Sequence, residues 1–158
     1  MPGRGRRWWW AGVGAALGLL AGLVAGWRWR GRGIPVVDYG PDADVAGGCL
    51  VTAPAAGGVP AAADCAGPHG AEIIASLDPF GAAATRYPGR DSLVRFAAAA
   101  CEPAFETVVE PAGRSGLRLV ALVPTEAAFG AGDRAVHCVV RASDGSALTG
   151  TRVAGQSG

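Results

Sequence analysis

Residues 91–123 read DSLVRFAAAACEPAFETVVEPAGRSGLRLVALV, and this stretch decides the fold class. Val94, Ala97, Cys101, Phe105 and Val108 recur at helical spacing, while Glu102, Glu106 and Glu110 share another, solvated face. The spacing predicts a helix over about 91–110, capped by Asp91 or Ser92, with Pro103 expected to kink or interrupt it by removing an amide donor. Gly113 to Gly116 turn the chain, and Leu117–Val123 then reads as a strand stopped by Pro124. One long helix feeding directly into a strand of that kind points to an α+β domain.

The flanks extend the pattern. Upstream, Cys49–Val51 reads as a short strand, 53–63 as a loop, Ala71–Leu77 as a strand ended by Asp78-Pro79, and 78–90 as irregular. Downstream, 124–132 holds one short helical turn, Ala135–Arg141 is a last strand, and Asp144-Gly145 marks a turn. The expected body is one main helix on a mostly antiparallel sheet over residues 47–152, followed by a disordered tail at 153–158.

Composition removes whole classes of chemistry. All 14 basic residues are arginine, so a Walker P-loop, a Schiff-base amine and Ser-x-x-Lys acylation are excluded. Asparagine is absent, which excludes N-glycosylation. The net charge of +1 conceals an asymmetry: residues 1–32 carry six arginines and no acid, the remainder eight arginines against thirteen acids. An acidic body is unsuited to phosphate neutralisation, so nucleic acid is not an expected partner.

The basic head brackets a run of 20 uncharged residues, Trp8 to Trp27, long enough at 1.5 Å per residue to cross about 30 Å of hydrocarbon. Trp8, Trp9 and Trp10 mark one end, Trp27 and Trp29 the other, as in two interfacial belts. We read 1–7 as a basic cytoplasmic tail, 8–29 as a transmembrane helix and 30–46 as a flexible linker rich in Gly, Pro and Asp. A cleaved signal peptide ending near Val24-Ala25-Gly26 is the rival reading; arginines just beyond that point disfavour export. Gly14, Gly18, Gly22 and Gly26 fall on one face of the span, a surface on which a second helix, including another copy, can pack closely.

Orientation rests on sulfur. Cys49, Cys65, Cys101 and Cys138 all follow the span, and none forms a C-x-x-C pair, so zinc-ribbon and thioredoxin-type centres are not indicated. An even number in a small exported domain reads as two disulfides. Three connectivities remain open, of which Cys49–Cys65 with Cys101–Cys138 is the unentangled one. Bridges imply a body outside the cell membrane, single-pass, with the N-terminus in the cytoplasm.

Four polar residues are candidates for binding. His69 and Glu72, three apart, suit an acid/base pair or two metal ligands; the plainer alternative has His69 bonded to a loop carbonyl and Glu72 facing solvent. Asp133 and Arg134 at a turn suit a salt bridge or a docking patch. His137 adjoins Cys138 in a strand, so alternation puts it on the surface. Ser115 and Ser146 lack a nucleophile-elbow pattern, and no catalytic residue, metal or cofactor is assigned.

In order along the chain, Gly48-Cys49-Leu50, Cys65-Ala66-Gly67-Pro68-His69-Gly70-Ala71-Glu72, Tyr87-Pro88-Gly89, Cys101, Phe105, Pro124-Thr125-Glu126, Gly132-Asp133-Arg134-Ala135-Val136-His137-Cys138 and Asp144-Gly145-Ser146 form a pattern. It resembles the septum-formation domain family of actinobacterial envelope proteins. Gly70 stands where that family more often has Asp, and Phe129 where it often has Trp. The resemblance implies a membrane-tethered extracytoplasmic domain acting at the division septum or envelope, with an envelope or division protein as partner. The alternative is a small envelope enzyme or a ligand-binding sensor centred on His69 and Glu72.

Overall fold

Strand-forming Leu117–Pro124 (β5) and Val136–Ala142 (β6) pair antiparallel in a computed structural model that describes residues 33–153 apart from 56, 57 and 82. Ala71–Leu77 (β4) pairs antiparallel with the other edge of β6. Beyond it lie two short strands, Cys49–Leu50 (β2) and Ala62–Ala63 (β3), both antiparallel to their neighbours. Val36–Tyr39 (β1) adds parallel to β5, giving one mixed sheet ordered β1-β5-β6-β4-β2-β3. The α+β class and the single main helix are as expected. The stretch 30–46 is corrected: rather than a linker throughout, it supplies β1, whose Tyr39 is buried. Ala62–Ala63, expected in a loop, is the small strand β3.

The helix Arg90–Val108 (α1) covers one face of the sheet. Its fully buried residues are Leu93, Ala97 and Cys101, four apart, so Leu93 and not Val94 begins the core stripe. Neither Asp91 nor Ser92 caps it. Gly89 (φ 88°) is the N-cap, and its carbonyl accepts the amides of Ser92 and Leu93. The helix runs through Pro103 without interruption. Pro103 is exposed, so the carbonyl deprived of its donor is on the watery side, and Thr107 Oγ1 donates to the Pro103 carbonyl at 2.8 Å. Arg114 ends the helix by donating to the carbonyls of Val109 and Glu106.

The other face is also covered, by Tyr39, residues 43–45 and the short helix Glu126–Ala131 (α2), whose Ala128 and Phe129 are buried. Thr125 caps α2 by accepting the amide of Ala128, and Gly132 in the left-handed region (φ 110°) closes it. Gly132 thereby turns the chain so that Asp133 and Arg134 meet the end of β6.

The disulfides are Cys49–Cys65 and Cys101–Cys138. The first closes the β2–β3 hairpin, and the second ties α1 to β6 within the core. No helix among the described residues is long and apolar enough to cross a membrane. The expected tail 1–7, span 8–29 with its row Gly14, Gly18, Gly22 and Gly26, and residues 154–158 lie outside the described residues.

Candidate functional site

Two groups of polar side chains stand out, at opposite ends of β4. At its start, Glu72 pairs directly across from Cys49, so their side chains share the α1 face of the sheet. His69 joins them from the preceding turn, which is held by reciprocal backbone bonds between His69 and Leu148. Gly70 permits this turn: a β-carbon there would lie 2.5 Å from the backbone of Thr52 and Ala53, so the hairpin loop packs against bare main chain.

His69 is 1 % exposed; its ring Nδ1 lies 2.9 Å from the carbonyl of Gly67, the loop carbonyl expected of the plainer reading. A carbonyl only accepts, so Nδ1 carries the proton and Nε2 is left with a lone pair. That Nε2 is buried with no hydrogen-bond partner. Glu72 corrects the expectation of a solvent-facing residue, being 2 % exposed. Its carboxylate accepts from Thr151 Oγ1 (2.5 Å), the amide of Arg152 (2.6 Å) and the amide of Val153 (3.2 Å). The closing segment of the body folds over the sheet edge at this point, which strand alternation alone does not reveal.

The ligand atoms of Cys49, His69 and Glu72 all lie within 4.8 Å of one another. While Cys49 Sγ is bonded to Cys65 it is not a thiolate, so the bridged protein offers a cation only the histidine and the carboxylate. A structural zinc site needs four ligands, and this donor set does not fit one.

At the far end of β4 a cleft of about 510 Å³ is lined by Tyr39, Asp78, Asp133, Arg134, Ala135 and His137. Asp133 and Arg134 are thus brought together with each other but not with His69 and Glu72. Arg134 stacks over the Phe129 ring, 5.1 Å from its centroid. Tyr39 donates to the Ala135 carbonyl at 2.8 Å, and its hydroxyl is held acidic only with difficulty: burial raises its pKa, and the charge of Asp133 adds to this. Tyr39 and Asp78 are not expected in a site from the sequence, and His137, whose minority reading is a zinc ligand, is not expected in this cleft. Tyr39 was concealed in an apparent linker, and His137 by the assumption of one wet sheet face.

His137 is buried as well as Cys138, because both faces of the sheet are covered. Its Nδ1 shares a 2.8 Å hydrogen bond with Ser76 Oγ, and its ring lies 5.4 Å from that of Tyr39. Burial pushes its pKa down, partly opposed by Asp133. The unfolded chain therefore binds a proton at this residue at higher pH than the native one does, and native stability falls as pH drops through about 6.5 toward the depressed value. Thermal melts at pH 7.5 and pH 5 are expected to show a larger acid loss for the native chain than for His137→Gln. An equal loss would place the acid sensitivity elsewhere.

A family model described as septum formation matches residues 46–157. No curated protein and no solved structure gives a match.

Proposed function

The chain belongs to the septum-formation family, and from that premise we propose that it is a membrane-anchored binding module of the division septum or cell envelope. In this reading residues 8–29 span the membrane, the N-terminus is cytoplasmic, and the body binds an envelope or division protein from the extracytoplasmic side. The glycine row of the span is then a face for a homodimer. Two formed disulfides in so small a domain support an oxidising compartment. Burial of both His69 and Glu72 favours binding over catalysis, because the carboxylate is already engaged by 151–153.

The observation that carries the binding surface is the cleft. It is open, it lies at the end of the sheet, and its lining includes Asp78, Asp133 and Arg134. Such a lining suits a polar partner segment bearing cationic or hydrogen-bonding groups. A photo-crosslinking residue placed at Asp78 in living cells is expected to capture an envelope or division protein, and one placed at exposed Glu106 on α1 is not. Equal capture from both positions, or none from Asp78, rules out the cleft as the docking site. A reporter active only outside the membrane, fused after Gly158, is expected to be active; inactivity reverses the topology.

A further inference from the structure

We propose that the Cys49–Cys65 bridge is a thiol-exchange site, in which a partner thiol attacks Cys65 and Cys49 departs toward His69 Nε2. Three observations carry this. The bridge is asymmetric in access: Cys49 is fully buried, whereas Cys65 is half-buried in the hairpin loop, so a nucleophile reaches Cys65 and expels the inner sulfur. The inner sulfur lies within 4.8 Å of a ring nitrogen of His69, and the Nε2 of that ring is a buried lone pair that the fold leaves without a partner. Glu72, also within 4.8 Å of both, supplies a negative charge against an imidazolium. Among the described residues these are the histidine and the carboxylate clustered with the departing sulfur, and Arg152, whose amide donates to Glu72, is the adjoining cationic residue. A small recess of about 290 Å³ bordered by Val51, Thr52, Pro68, His69 and Gly70 adjoins the same turn.

The step balances as a two-electron exchange. A thiol RSH delivers its sulfur to Cys65, forming the mixed disulfide. The Cys49–Cys65 bond breaks with its electron pair on Cys49, and the proton from RSH ends on His69 Nε2 beside the thiolate. A second thiol of the same reductant then attacks the mixed disulfide at the partner's sulfur, releasing Cys65 as a thiol and the reductant as a disulfide. The partner class is a dithiol, and the reverse sequence re-forms the bridge with a disulfide oxidant. Leaving-group thiols beside an imidazolium depart faster because the thiolate is stabilised where it forms. Reduction removes the covalent tie across the β2–β3 hairpin and leaves its ladder as the remaining link. The Cys101–Cys138 bridge serves as an internal control, since both its sulfurs belong to fully buried residues.

The experiment uses the full chain in detergent micelles, treated with limiting dithiothreitol at pH 7, quenched with iodoacetamide and mapped by mass spectrometry. The site of body folding in the cell does not enter, so failure here is separate from failure of the proposed topology. Cys49–Cys65 is expected to open at least about tenfold faster than Cys101–Cys138, and His69→Asn, which can keep the bond to Gly67, is expected to slow the first bridge about tenfold. Should His69→Asn fail to fold, the reduced native chain decides: alkylation of Cys49 is expected to stay nearly level from pH 8 to pH 6. Equal opening of the two bridges, an unaffected variant rate in folded His69→Asn, or alkylation that falls about tenfold per pH unit as for an ordinary thiol each overturns the proposal.

Discussion

Replacing Cys101 and Cys138 together by alanine is expected to lower the stability of the body by about 4 kcal/mol, the entropy recovered by an unfolded chain no longer closed over that loop. The bridge spans 37 residues and joins the middle of α1 to β6, a central strand of the sheet. Both residues are fully buried, so their loss also leaves the α1–sheet contact less filled. Against a total of roughly 5–15 kcal/mol for a domain, that is a large fraction. Urea unfolding under non-reducing conditions should show the midpoint drop together with a steeper slope, because the unfolded chain freed of the cross-link exposes more surface. The corresponding loss for Cys49→Ala with Cys65→Ala is expected to be smaller, about 3 kcal/mol, because its loop separates only 16 residues. A loss below about 1 kcal/mol for the first pair would mean that Leu93 and Ala97 hold α1 in place unaided.

Glu72→Ala is expected to cost about 3 kcal/mol and to free the closing segment of the body. The carboxylate satisfies the Thr151 hydroxyl and the amides of Arg152 and Val153; alanine leaves the first two without this acceptor in a partly buried place, while the Val153 amide keeps only Thr151 Oγ1. Thr151→Val removes one of the three bonds and should cost about 1 kcal/mol. Hydrogen exchange read on the peptide that contains 151–153 is the direct measurement: its amides should lose protection in Glu72→Ala while β5 and β6 keep theirs. Unchanged protection would assign the anchoring to the Val109–Val153 bridge instead.

These two sites show unequal legibility. Cys101 was readable as a core residue because it sits on the apolar helical stripe, and α1 overrode both Pro103 and the absence of a side-chain cap through packing on one face. Glu72 was not readable, since in a sequence an acid in a strand signals solvent. Its burial follows from a segment about eighty residues later folding back over it. The register of β4 against β6 shifts between Ile73 and Ala75, so Ile74 and Ala75 both contribute to the α1 side, which simple alternation forbids. His137 was misplaced for a related reason: alternation tells which residues share a face, and it is silent on whether that face is wet.

Periodicity, turn residues and cysteine number were sufficient for the α+β class, for the long helix and its two neighbouring strands, and for an even set of bridges, because these depend on contacts near in the chain or on simple parity. The parallel addition of β1, the covering of the second sheet face, the meeting of Cys49 with His69 and Glu72, and the cleft joining Tyr39 to Asp133 depend on segments that are distant in sequence. Such contacts form when the folded chain minimises exposed apolar area and satisfies its buried polar groups together. That is a property of the whole packed molecule, and no local window of residues contains it.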